Sequence, residues 1–176
     1  DGRAAAGRRY HASSAGQQAV LKGLRWLATV QNDNGSWADN PAHSGLALLC
    51  FLAYGETPMS EEFGLTVQKA MQWLATRMQE GRLCAADGHG YGHAIATYAL
   101  AEGYGMTQIP FLRSAMEFGV DTIVKGQQPG GGFDYNYSKG ARWDLSYSGW
   151  NFQALKAAMV AGSYNEGLPR AIQKGV

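Results

Sequence analysis

The residues best suited to chemistry fall in three short stretches. One reads Asp87-Gly-His89-Gly-Tyr91-Gly-His93, a second runs from Trp37 to His43, and the third holds Asp134-Tyr135-Asn136-Tyr137 followed by Arg142-Trp143-Asp144. Histidines beside carboxylates serve as metal ligands or as acid and base, and Asp87, His89 and His93 would be such a set. Their spacing matches no standard metal motif, so neither a metal nor a cofactor is predicted. His43 and His93 lie 50 residues apart, each near the start of an apolar segment. In the competing reading they hold helix ends through local hydrogen bonds. Arg142 and Asp144 either pair, or pin the loop that carries them. Alternatively they join His93 in lining a pocket floored by Tyr98, Trp150 and Phe152. The ligand-binding candidates are therefore His43, His89, Tyr91, His93, Arg142, Asp144 and Trp150. A further alternative makes Asp134 and Asp144 the carboxylate pair of a glycan-active site. Nothing identifies a nucleophile: there is no Gly-x-Ser-x-Gly elbow, and Gly130-Gly131-Gly132 lacks the Gly-Lys-Ser/Thr ending of a phosphate loop. No catalytic residue is predicted.

The elements that position these stretches repeat. Lys22-Gly-Leu-Arg-Trp26-Leu-Ala-Thr29 recurs 47 residues later as Lys69-Ala-Met-Gln-Trp73-Leu-Ala-Thr76. Gln31 to Trp37 is echoed by Gln127 to Phe133, and Ala171 to Val176 restarts the pattern of Ala19 to Leu24. A unit of about 50 residues thus occurs three times and begins a fourth, over 17–57, 58–107, 108–165 and 166–176. Each unit pairs two kinds of helix. One is amphipathic: Val20, Leu24, Leu27 and Ala28 form a single stripe, and counterparts are expected from Glu61 to Met78, capped by Ser60, and from Pro110 to Lys125. The other is apolar nearly all round: from Ser44, from His93 with Glu102 as its one charge, and from Ser148 with Lys156 as its one charge. Helices of this second kind should be surrounded by other helices. Gly55, Gly103, Gly105 and Gly162 mark their expected ends. Residues 1–16, with Arg3, Arg8 and Arg9, read as a flexible arm before the repeat domain at 17–176.

Composition narrows the function. The chain has 176 residues, with 15 Lys plus Arg against 14 Asp plus Glu, a formal balance of +1. That balance gives no footprint for nucleic acid. The longest strongly apolar run, Gly45 to Ala53, is far shorter than the roughly 20 residues a transmembrane helix needs. Cys50 and Cys84 form neither a disulfide framework nor a zinc spacing, and Cys50 reads as a small buried hydrophobe.

Lys22-Gly23, Trp26-Leu27, Gln31 and Gly35-Ser-Trp37 together resemble the QW motif of the prenyltransferase and squalene-cyclase repeat superfamily, and Gly119, Thr122-Ile123, Gln127 and Gly131-Gly-Phe133 match it in part. The resemblance implies an all-α protein, an α/α toroid of outer and inner helices around a cavity. This chain would supply a partial or half ring, completed by further repeats or by a second copy in a homodimer. It implies that Gln31, Trp37, Gln127 and Phe133 are architectural. The Asp-x-Asp-Asp acid of the cyclases is missing, and the zinc ligands of the prenyltransferases are not recognisable around Cys50 or Cys84. The family analogy points to an apolar, isoprenoid-like ligand in the cavity, bound or transformed. The alternative is a non-catalytic scaffold or protein-interaction domain of a larger protein.

Overall fold

A computed structural model describes residues 13–81, 83 and 90–175. The described residues are all-α: seven α-helices and one short 3₁₀ turn, with no strand. Residues up to Gln31 and residues from Asn32 form two separate compact units. Most of the expected arm at 1–16 lies outside the described residues.

Among its described residues, the first unit holds one helix, α1 (Ser14–Thr29). Ser13 caps it by accepting the Gly16 N–H at 3.0 Å, satisfying one of the orphan amides of the first turn. Leu24 is its one buried residue, while Trp26 is exposed.

The second unit contains α2 (Pro41–Ala53), α3 (Gly64–Gln79), α4 (Tyr91–Thr107), α5 (Pro110–Gly126), α6 (Leu145–Val160) and α7 (Leu168–Lys174). The apolar helices form one row, in which α4 packs between α2 and α6. The amphipathic helices form a second row over it, with α5 packed on both α3 and α7. This order follows from hydrophobicity. A helix with one apolar stripe buries only that side, whereas α4 buries most of its circumference, including Ala94, Ala96, Ala99, Leu100 and Ala101, and leaves only the side of Tyr98, Glu102 and Met106 partly open.

Three features differ from expectation. Ser60 does not cap α3; its hydroxyl accepts the Thr57 N–H at 2.9 Å in the preceding turn, and α3 starts after Phe63 with no side-chain cap. Gly103 and Gly105 do not end α4, which continues to Thr107 and closes at Gln108 in the left-handed region. Gly103 is buried within α4, where a Cβ would stand 2.9 Å from Met71 Cε. Finally, α2 and α6 are not enclosed. On α2 a stripe of His43, Leu46, Cys50 and Ala53 is exposed. Cys50 is therefore a surface thiol and not a buried hydrophobe, because the side of α2 that carries it is left uncovered. Gly55 and Gly162 do stand beyond the ends of α2 and α6, with φ of 90° and 86°.

The repeats are visible as repeated contacts. After α5, the N–H of Gln128 donates to Gly132 O and that of Gly131 to Gln128 O, both at 2.9 Å. Before α2, Asn32 donates to Ser36 O and Gly35 to Asn32 O at the same distances. Gly35 (φ 94°) and Gly131 (φ 95°) lie so close to an amphipathic helix that an added Cβ would stand 2.4 Å from Lys69 O and 2.2 Å from Lys174 O, respectively. Lys69 and Lys174 hold the same repeat position, so these turns dock alike. Gly35→Ala combines a left-handed backbone with a backbone clash and should lower stability by about 2–4 kcal/mol in urea denaturation. Gly130→Ala, which meets nothing within 4 Å, should change it by under about 0.5 kcal/mol.

Candidate functional site

The loops entering the apolar helices share one tether. The Trp37 N–H donates to Ser44 Oγ at 2.9 Å, and the Phe133 N–H donates to Ser148 Oγ at 2.9 Å. In the middle unit the Leu83 N–H donates to His93 Nδ1 at 3.2 Å. His93 thus stands where Ser44 and Ser148 stand. The expected equivalence of His93 with His43 is overturned, the true register being shifted by one residue. His43 is exposed on the third residue of α2, whose N-cap is Asn40. His93 is fully buried. Because Nδ1 accepts from Leu83, the proton sits on Nε2, which donates to Gly119 O on α5 at 3.2 Å. That imidazole ties the loop, α4 and α5 together, and it does not line a pocket with Arg142 and Asp144.

Asp144 is the N-cap of α6. Its Oδ1 accepts the Tyr147 N–H at 2.8 Å and the Ser146 hydroxyl at 2.8 Å, and its Oδ2 accepts the Tyr135 hydroxyl at 3.1 Å. The Tyr147 amide, then the Ser146 hydroxyl, hold its carboxyl below the ordinary value of 3.8. Arg142 does not pair with Asp144. Its Nε lies 3.9 Å from Asp134 Oδ1, and its guanidinium stacks 5.3 Å from the Tyr135 ring centre. Asp134 in turn caps the 3₁₀ turn at Tyr135–Tyr137, so both carboxylates of the glycan alternative are engaged in helix starts. The loop itself is pinned by Gln128, whose amide donates to Ser138 O and accepts the Gly140 N–H.

Tyr91 joins this cluster. Its hydroxyl lies 2.7 Å from Ser146 Oγ, and its ring packs against Tyr135 and Tyr147 with centroids 5.9 and 5.3 Å away. Hydrogen bonding with Tyr91, then with Asp144, pushes the Tyr135 phenol up to about 12. The backbone is unusual here. Asn136 and Tyr137 are consecutive left-handed non-glycine residues, with φ of 55° and 57°, as are Ala38 and Asp39 in the first loop, with φ of 54° and 48°. Such conformations need a surrounding that over-determines them. Tyr137 gets it from its hydroxyl bond to Asn151 Oδ1 at 2.7 Å and an edge contact with His93. His89 and Asp87 lie outside the described residues. Among the described residues, no three His, Cys, Asp or Glu side chains converge on one point, and no helix is long and apolar enough to cross a membrane.

Two grooves lie apart from this cluster, along the row of apolar helices. A groove of about 280 Å³ separates α4 from α6, lined by Tyr98, Glu102, Gly105, Met106, Lys156 and Val160 among others. A second, of about 210 Å³, separates α2 from α4, and Tyr98, Glu102 and Met106 border both. The walls are mostly apolar, and the charges are Glu102 and Lys156. Burial, then the charge of Glu102, raises the Tyr98 phenol. Of the residues expected in a pocket, Tyr98 lines this trough. Trp150 is half-buried one helical turn before Gln153 and on its stripe. Glu102 and Lys156 escaped sequence reasoning as site residues, although each is the single charge of an otherwise apolar helix. No family model, no curated protein and no solved structure matches the chain.

The depressed carboxyl of Asp144 makes a pH prediction. Its contribution to stability is fully present above its unfolded value near 3.8 and is lost as the pH falls through its lower folded value. Asp144→Ala should lower the urea midpoint at pH 7. Asp144→Asn, which still caps, should retain most of it and show a smaller drop than the parent between pH 5 and pH 2.5. Equal drops in both proteins would exclude this role.

Proposed function

We propose that this chain is a segment of an α/α toroid, resembling the prenyltransferase and squalene-cyclase repeat proteins, whose inner trough binds an apolar, isoprenoid-like molecule. One observation carries the reading: α2, α4 and α6 stand side by side and leave a groove on either side of α4, both bordered by Tyr98, Glu102 and Met106. Largely apolar concave surfaces with a few polar groups are where small molecules bind. The two-row arrangement and the repeated turns at Gly35 and Gly131 support the toroid reading.

Binding is the simpler role for the trough: among the described residues a lone carboxylate, a phenol and a primary amine line it. His93, Arg142 and Asp144, the residues with the most chemical promise, hold loops to helix starts. That engagement also favours the second reading, a non-catalytic scaffold domain.

Fluorescence titration with a dansylated farnesol tests the binding. At roughly 0.3–0.5 kcal/mol per heavy atom, a 15-carbon chain should bind with a Kd between about 3 μM and about 0.5 mM. Gly105→Phe fills the α4–α6 groove from an exposed position where an added Cβ makes only ordinary contact, 3.5 Å from Ala161 Cβ. It should weaken binding at least about tenfold while leaving the thermal midpoint nearly unchanged. No saturable binding to the parent protein would leave the scaffold reading.

A further inference from the structure

The side of α4 that carries Tyr98, Glu102 and Met106 is not an end of the helix row. Both row neighbours, α2 and α6, are in place, and α3 and α5 pack behind. In the α4–α6 groove two charges of opposite sign stand on facing walls: Glu102, half-buried on α4, and Lys156, exposed on α6. Among the described residues no ion pair joins them or ties either to another side chain. Burial, then the charge of Glu102, raises the Tyr98 phenol, so the field of this carboxylate is felt inside the groove.

The two helices run parallel in a fixed alignment. Near their starts the Tyr91 hydroxyl lies 2.7 Å from Ser146 Oγ. Near their ends a Cβ on Gly105 would stand 3.5 Å from Ala161 Cβ. The α2–α4 pair is held in the same way, with a Cβ on Gly45 2.9 Å from Ile95 Cγ2. Glu102 comes three residues before Gly105, and Lys156 five before Ala161. At a rise of about 1.5 Å per residue, Lys156 is attached about 3 Å nearer the helix starts than Glu102. Met106, Val160 and Ala161 lie beyond Glu102, toward the helix ends. The groove therefore grades from apolar wall to carboxylate to ammonium.

A ligand with one charge suits this gradient badly. An ammonium drawn to Glu102 is repelled by Lys156, and an anion drawn to Lys156 is repelled by Glu102. A neutral head shields both charges from water and pairs with neither. A zwitterion meets both. We propose, taking the trough as a binding site, that its ligand is an apolar chain ending in a zwitterion: a protonated amine next to the chain, paired with Glu102, and an anionic group beyond it, paired with Lys156. The chain lies along Met106, Val160 and Ala161. The simplest such molecule is an N-alkylated amino acid.

Calorimetric titration with N-dodecylglycine, dodecylamine and dodecanoate near neutral pH, each below its micelle concentration, tests the charge requirement. Dansylated farnesol is titrated alongside as the neutral probe. N-dodecylglycine should bind at least about tenfold more tightly than either singly charged probe. Glu102→Gln should weaken N-dodecylglycine at least about fivefold and strengthen dodecanoate. Lys156→Met should weaken N-dodecylglycine by a similar factor and strengthen dodecylamine. A loss of folding weakens every ligand and cannot produce these opposite shifts. Farnesol binding with no preference for N-dodecylglycine over the singly charged probes overturns the zwitterion and leaves the trough as an apolar site. N-dodecylglycine binding that neither substitution changes overturns it too. If none of the four probes binds, the trough reading falls and the zwitterion falls with it.

Discussion

Each of the three apolar helices is preceded by a segment that buries a backbone N–H beside the helix start. A side chain near the start of the apolar helix accepts that N–H: Ser44 for Trp37, His93 for Leu83, Ser148 for Phe133. An unmet amide at such a place costs about 1–3 kcal/mol. The acceptor also sets the axial position of each apolar helix relative to its loop. Once that is fixed, the shared register of α2 with α4 and of α4 with α6 follows, and with it the close approaches at Gly45 and Gly105. The serine hydroxyls close the tether by donating to Phe133 O at 3.3 Å and to Trp37 O at 3.5 Å. The histidine uses its second nitrogen to reach α5 instead.

Much of this architecture was legible in the sequence because it depends on composition and period. Apolar and amphipathic helices alternate as their residues dictate, and the Lys69 and Lys174 echoes fall at equivalent docking points. Gln127 is architectural as expected, donating through Nε2 to Gly131 O and Ala171 O at 2.7 Å. What could not be read was register. The 50-residue spacing of His43 and His93 suggested a pair, yet the tether spans seven residues before α2 and ten before α4, and the chemical counterpart of His93 is a serine. Hydroxyl and imidazole perform the same acceptor role with no resemblance that a comparison of letters detects.

The site was less legible than the fold for a related reason. Residues that look reactive in isolation are those whose hydrogen-bonding capacity loops and helix starts consume most readily. Asp144 accepts three hydrogen bonds as a cap, and Arg142 lies over Tyr135 and beside Asp134. The trough borders, by contrast, are defined by which helix sides stay uncovered, a property of the assembled row. Ser60 and Gly103 failed as markers in the same way. Each had a plausible local role, and each was taken by a tertiary contact, one with Thr57 and one with the side chain of Met71.

The position of α4 between two like neighbours has a kinetic meaning. In stacked repeats, stability is close to a sum over each element and its adjacent interfaces. The α4 helix holds two row interfaces and is covered further by α3 and α5, whereas α2 and α6 hold one row interface each. Opening can therefore start at either edge of the row without breaking the centre, and amide exchange should slow from the edges inward. The backbone of Ala96 to Leu100 becomes the last region to lose its protons to solvent, and the tether at His93 is the last of the three to let go.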